Sequence, residues 1–264
     1  MTGTLKKPLL SLITALGRLK ERNRFIDPPI LLGGCARSGT TLLLSILSAH
    51  EHIFACRREL GLFNRVTVKN GKVHPDRIDR IYRCMLLHRV PLPARRWCEK
   101  SPSNIRKFEN INTYFKGNFR FIQIVRDGRD VILSGHPRDK DRYWVEPERW
   151  IRDVSAGSLH ADHPNMHTIR YEDLITQYEK TITGICRFLD IPVSPQILNW
   201  HQYAKVRKNK ALFSEIGQLS DRSIGKWKRK EYEKRVKELT DKPAAIKLLR
   251  KYGYLEEKIQ NEDS

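Results

Sequence analysis

Ile30-Leu31-Leu32-Gly33-Gly34-Cys35-Ala36-Arg37-Ser38-Gly39-Thr40-Thr41-Leu42-Leu43-Leu44 reads as a short apolar strand, a glycine-rich turn and the start of an apolar helix. A buried strand that ends in glycines can turn sharply and open a helix whose free N–H groups and positive dipole end face an anion. Gly34 and Gly39 supply the backbone freedom, and their spacing fits the phosphate-binding pattern G-x-x-x-x-G. Thr40, however, stands where a nucleotide hydrolase or kinase carries lysine, and the cation lies inside the turn at Arg37. A magnesium–triphosphate enzyme also needs a carboxylate after a second strand, and here Phe119 to Val125 runs into Arg126-Asp127 instead. The residues describe a nucleotide site without a metal.

Outward from this unit, strands and helices alternate. Ile53-Phe54-Ala55-Cys56 reads as a short strand, Pro75 to His88 as a helix through Ile78, Ile81, Tyr82, Met85 and Leu86, and Trp97-Cys98 as a brief strand. Phe119 to Val125 is a continuous apolar strand of the kind buried in a parallel sheet. Asp127 to Leu133 starts a helix, Pro147 starts another through Val154, Met166 to Arg170 is a strand, and Leu174 to Leu189 is a long helix stopped by Ile191-Pro192. Such alternation predicts an α/β protein, a P-loop-type three-layer fold with a central parallel β-sheet flanked by helices.

The chain has 264 residues, which suits one domain over 25–264 preceded by a basic amphipathic helix over 1–24. In that helix Leu9, Leu12, Ile13, Leu16 and Leu19 share a face, with Lys6-Lys7, Arg18, Lys20, Arg22 and Arg24 around them. Contact with an anionic membrane, packing on the domain and a short signal peptide are all open readings of it. No run reaches the roughly 18 apolar residues of a membrane span. Cys35, Cys56, Cys84, Cys98 and Cys186 are odd in number and unpatterned, which reads as packing residues in a reducing compartment; with no targeting signal, the expected location is cytoplasmic.

Fifty basic residues against thirty acidic ones leave a net charge of +20, so anionic partners are expected. Nucleic acid would satisfy that charge, but no aromatic–basic recognition motif is present. A nucleotide co-substrate with an anionic or glycan-like acceptor accounts for it equally well.

Three segments carry a family resemblance. Arg37-Ser38-Gly39-Thr40-Thr41, then Phe121 to Ser134 with Arg126 and Ser134 eight residues apart, then Gly225-Lys226-Trp227-Lys228, resemble the cofactor segments of sulfotransferases that use 3′-phosphoadenylyl sulfate (PAPS). The resemblance runs from about Pro29 to about Tyr254. It implies that Arg37, Ser38, Gly39, Thr40 and Thr41 hold the 5′-phosphosulfate, and that Arg126 and Ser134 hold the 3′-phosphate. It further implies that Tyr171, in Arg170-Tyr171-Glu172-Asp173-Leu174, lies near the adenine, and that the basic segment Lys205 to Lys230 folds over the nucleotide with Arg222, Gly225, Lys226 and Lys228 closing the site.

Glu99-Lys100-Ser101-Pro102 resembles the E-K-[ST]-P run of glycan and protein sulfotransferases, where the lysine contacts the bridging oxygen, so Lys100 takes the leaving-group role. The histidine base of the small-molecule cytosolic enzymes would fall at Pro102 and is missing. Glu59, in an E-x-x-x-F context ending at Phe63, resembles the base of the glycan-type enzymes; His50, His52 and His136 are rival bases. The implied activity is in-line sulfuryl transfer to a hydroxyl or amine of a carbohydrate, glycolipid or peptide acceptor, with Leu60 to Val73 and Gly135 to Pro147 as acceptor loops. A magnesium–ATP phosphotransferase and a non-catalytic polyanion binder are the alternatives. Arg129 and Asp130 read as helix-start electrostatics and a fold salt bridge.

Overall fold

The computed structural model describes residues 6–136, 139–207 and 219–256. The first five residues of the expected N-terminal helix, Lys208 and Lys210 of the basic segment, and positions 137–138 of the second acceptor loop lie outside them. In chain order the elements are α1 (Lys6–Arg24), β1 (Ile30–Gly33), α2 (Thr40–Ala49), β2 (Ile53–Ala55), β3 (Val66–Lys69), β4 (Lys72–Pro75), α3 (Asp79–Leu87), β5 (Arg96–Lys100), α4 (Phe108–Phe115), β6 (Arg120–Val125) and α5 (Gly128–Val131). There follow β7 (Gly135–His136), β8 (Asp139–Tyr143), α6 (Pro147–Ser158), β9 (Met166–Arg170), α7 (Tyr171–Thr176), α8 (Tyr178–Leu189), α9 (Pro195–Leu198), α10 (Trp200–Tyr203), α11 (Glu233–Thr240) and α12 (Pro243–Lys251).

Five strands form a parallel sheet in the order β2-β5-β1-β6-β9, with β1 at its centre. Side chains alternate across it, so Ile30, Leu32, Ile122 and Ile124 face α2, α8, α9 and α10, while Leu31 and Phe121 face α3 and α4. Both faces are covered, which is why the central strand β1 is apolar throughout. In α2, Leu43, Leu44, Ile46 and Leu47 are fully buried, and each contributes about 1.5–3 kcal/mol through burial. The expected layers are therefore present. A third cluster, with Val125, Val131, Trp150, Val154, Leu248 and Leu249, packs beyond the carboxyl end of β6 and anchors α5, α6 and α12 there.

Local details depart from the sequence reading. The helix expected from Leu174 to Leu189 is two helices, because Gln177 leaves the helical region (φ −130°, ψ 48°) and α8 restarts at Tyr178, whose hydroxyl donates to the Ile197 carbonyl at 2.5 Å. The helix from Asp127 closes only one turn. Residues 72–75 belong to the hairpin β3–β4, so α3 begins later than Pro75; the hairpin turns at Asn70-Gly71, both at positive φ, a pairing whose turn preference is visible in the sequence.

The N-terminal helix packs on α3, but not through Leu9, Leu12, Leu16 or Leu19. Gly17 is the buried contact: a Cβ there would come within 2.2 Å of the Tyr82 Cβ. Lys20 donates to the Met85 carbonyl, Arg24 to the Pro91 and Leu92 carbonyls, and Glu21 accepts from the Trp97 indole at 2.7 Å. Leu9, Leu12, Leu16 and Leu19 face outward and are exposed.

Candidate active site

The glycine turn sits at the carboxyl edge of the sheet, between β1 and α2. Gly34 has φ +145° and its absent Cβ would meet the Ile124 carbonyl oxygen at 2.4 Å; Gly39 has φ +96° and lies against the Tyr171 ring, 2.5 Å from where a Cβ would stand. Neither position admits a side chain. Arg37 also lies at positive φ, 70°, and the residue is exposed. Ser38 is fully buried, and its hydroxyl has no hydrogen-bond partner among the described residues. Such an orphaned buried donor in a glycine turn at a helix start is what an anion would satisfy.

The register of the sheet brings in the chemistry. Lys100, at the end of β5, pairs with Leu32 of β1, so its side chain shares the α2 face and reaches the first turn of that helix. There its Nζ donates to the Thr41 hydroxyl at 2.9 Å and to Glu59 Oε1. Lys100 is 1% exposed and Glu59 40%, so the pair spans the boundary between interior and solvent. A cation and a carboxylate thus meet beside the phosphate-type turn, although they are 41 residues apart in sequence.

On the other side of the turn stands Arg126, at the end of β6 and 8% exposed. Its Nη1 donates to the Arg37 carbonyl at 3.1 Å, its Nη2 to the Ser223 carbonyl at 2.5 Å, and its Cζ lies 4.5 Å from the centre of the Tyr171 ring. Its Nε is buried without a partner, and neither Arg126 nor Arg37 forms an ion pair among the described residues. Partial desolvation, and then repulsion from Arg126, lowers the Arg37 pKa below the ordinary arginine value. Two uncompensated guanidiniums flanking a glycine turn call for a ligand with more than one anionic group. These donors fit a nucleotide bearing a 5′-phosphate and a second phosphate.

The family model described as "Sulfotransferase family" matches residues 75–195, a span that includes Lys100, Arg126, Ser134 and Tyr171. The chain is 25% identical over 225 residues to protein-tyrosine sulfotransferase 2 of Gallus gallus, covering 75% of this chain and 60% of that protein. It is 27% identical over 212 residues to a putative protein-tyrosine sulfotransferase of Caenorhabditis briggsae, covering 70% of this chain and 74% of that one.

The chain is similar to the sulfotransferase family.

It spans about three fifths of the length of the Gallus gallus relative and 44% of that of Drosophila melanogaster. Among solved structures, a sulfotransferase domain from the curacin biosynthetic pathway superposes with TM-score 0.61 at 16% identity, covering 88% of this chain and 99% of that one. Mouse sulfotransferase SULT7A1 complexed with PAP superposes with TM-score 0.51 at 16% identity, covering 92% and 95%. Both share the fold.

Most of the predicted site residues converge in this chain. Arg37, Ser38 and Gly39 lie in the turn and Thr40 and Thr41 open α2; Glu59 and Lys100 meet at one end and Arg126 and Tyr171 at the other. Ser134 ends the turn after α5, half-buried, with its amide donating to the Val131 carbonyl and its own carbonyl accepting from Trp144; it forms no bond to Arg126. Arg222 is exposed, and its neighbour Ser223 is the residue at the site, its hydroxyl 3.0 Å from that of Tyr171. Lys226 and Lys228 are exposed on the Gly225–Lys228 turn. Of the rival bases, His50 is fully buried, with Nε2 facing the Pro192 carbonyl at 3.0 Å and Nδ1 accepting from the His52 amide. His136 packs on Trp144, the ring centres 4.7 Å apart.

Sequence reasoning passed over the residue that holds the Gly225–Lys228 turn. Asp130 does more than balance a helix start: its carboxylate accepts from the amides of Gly225 at 2.7 Å and Trp227 at 3.1 Å. Arg129 pairs with Asp127 at 2.7 Å and also lies 3.6 Å from the centre of the Trp227 ring. The position of Asp130 four residues after Arg126 was the only available signal.

Proposed function

We propose that the protein transfers a sulfuryl group from PAPS to a hydroxyl, and that its acceptor is the phenol of a tyrosine in a peptide or protein. The observation that carries this reading is the meeting of Glu59, Lys100 and Thr41 at the mouth of a glycine turn flanked by two unpaired arginines. The names of its relatives, protein-tyrosine sulfotransferases, support the acceptor class.

Sulfuryl transfer asks a protein for alignment, charge relief and a base. The turn amides, Arg37, Ser38 and Thr40 hold the 5′-phosphate, and Arg126 the 3′-phosphate. Glu59 takes the proton of the acceptor hydroxyl as its oxygen bonds to sulfur. Lys100 donates to the oxygen that bridged sulfur and phosphorus as that bond breaks, so negative charge appears on the phosphate beside a cation. A base of this kind contributes a factor of about 10² to 10⁴.

The test is isothermal titration with 3′-phosphoadenosine 5′-phosphate (PAP), then transfer of label from PAPS to a tyrosine peptide by the wild type and Glu59→Gln. The expected result is metal-free PAP binding by both proteins and loss of turnover in the variant by about 10²-fold or more. Near-normal turnover would remove Glu59 as the base; preference for magnesium–ATP would overturn the reading.

We further propose peripheral contact of α1 with an anionic bilayer. Its exposed leucines run beside Arg18 and Arg22, and Glu21 is turned inward onto Trp97. No helix among the described residues is long and apolar enough to cross a membrane. Leu12→Ser with Leu16→Ser should abolish co-sedimentation with phosphatidylserine vesicles; absence of wild-type binding refutes the contact.

A further inference from the structure

Glu99 is the one fully buried carboxylate in the E-K-[ST]-P run, and nothing in the chemistry above uses it. It pairs in register with Leu31, on the sheet face opposite to that of Lys100 and Leu32. It therefore points away from the reacting centre and cannot serve as a base itself. No lysine or arginine balances it in an ion pair among the described residues. Its charge is met entirely by neutral donors: the Leu60 amide at 3.0 Å, the Gly61 amide at 3.3 Å, the Ser101 hydroxyl at 2.6 Å and Asn104 Nδ2 at 2.8 Å.

Two of those four donors are the amides that directly follow Glu59. Ser101 strengthens the same clamp, since its hydroxyl oxygen also accepts from the Gly61 amide at 3.0 Å. Gly61 adopts φ +58°, which lets consecutive amides turn toward one carboxylate. The loop 57–61 has no regular secondary structure to hold it, and its far side is exposed. A buried carboxylate without a cation is costly, and burial raises its pKa; it is retained where its hydrogen bonds fix something.

We infer that Glu99 is a positioning residue for Glu59: it clamps the Leu60 and Gly61 amides and so sets where the Glu59 carboxylate emerges beside Lys100. This role rests on the reading of Glu59 as the base.

The experiment is a double-mutant cycle on transfer of ³⁵S from PAPS to a tyrosine peptide, with PAP binding measured for each protein. Glu99→Gln keeps the size of the side chain but sets a donor against Asn104 or the loop amides. Misplacing a reacting group by about 1 Å costs about 10²-fold, so kcat should fall by about that factor while the PAP Kd stays within about twofold. In the Glu59→Gln background the same change should lower the residual rate by less than about threefold, because no base is left to misplace. An equal factor in both backgrounds, or a parallel loss of PAP affinity, overturns the role. Should Glu99→Gln not fold, Ser101→Ala removes one donor and leaves the charge; it should show the same non-additivity with Glu59→Gln, and additivity there overturns the role too. Additivity with an active parent refutes Glu99 alone, whereas an inactive parent that does not bind PAP refutes the underlying reading as well.

Discussion

Replacing Arg126 by alanine removes a nearly buried guanidinium whose donors are only partly used by the protein. Of five N–H groups, one bonds the Arg37 carbonyl and one the Ser223 carbonyl, while Nε has no partner among the described residues. A 3′-phosphate is the group that would take Nε and a neighbouring N–H. Each charge-assisted bond is worth about 1.5–3 kcal/mol, and after exchange with water a loss of about 3 kcal/mol is a fair expectation. At about 1.4 kcal/mol per tenfold, PAP affinity should fall about 10²-fold. The substitution also removes the stack on Tyr171 and the tether to Ser223, which should weaken every adenine nucleotide to a similar extent. The informative quantity is therefore a ratio. Calorimetric titration of PAP and adenosine 5′-phosphate into wild type and Arg126→Ala should show the preference for PAP collapsing by about 10²-fold. If both nucleotides lose affinity equally, Arg126 supports the fold and does not read the 3′-phosphate.

Three further outcomes are expected. Asp130→Ala leaves the Gly225 and Trp227 amides without their acceptor, so their hydrogen exchange should quicken by about 10- to 100-fold; unchanged exchange would mean that this turn is held by other contacts. His50 is kept neutral by burial, so its folded pKa lies below the unfolded value of about 6.5, and the stability it contributes is present above that value and lost as pH falls through the folded pKa. Thermal melts of wild type between pH 7 and 5 should therefore show a loss that is smaller in His50→Gln; identical slopes refute it. Gly34→Ala forces a Cβ onto the Ile124 carbonyl at positive φ, which should cost about 3 kcal/mol and lower Tm by about 6–12 °C, as calorimetry would show.

The fold was legible because its signals are local. The apolar runs 30–32 and 119–125 and the glycine spacing at 34 and 39 are read from a few neighbouring residues, and each depends on backbone sterics and burial on both faces. The break at Gln177 and the outward turn of Leu9, Leu12, Leu16 and Leu19 were not legible. Periodicity gives the width of an apolar stripe, but Gly17, the smallest residue on α1, allows the closest approach to Tyr82 and so chooses which side packs.

By itself, the sequence determined the parallel sheet, the glycine turn and the residue types around it, since these follow from spacing, conformational freedom and charge. Only the tertiary structure decided which side chains act together. Parallel register carries Lys100 to the α2 face and Glu99 to the opposite one; loop closure then brings Glu59 to Lys100, Ser223 to Arg126 and Tyr171, and the Gly225 and Trp227 amides to Asp130. Those contacts join residues 41 to 97 positions apart. Their energies depend on burial and on donors facing acceptors across elements, which no local pattern in the chain encodes.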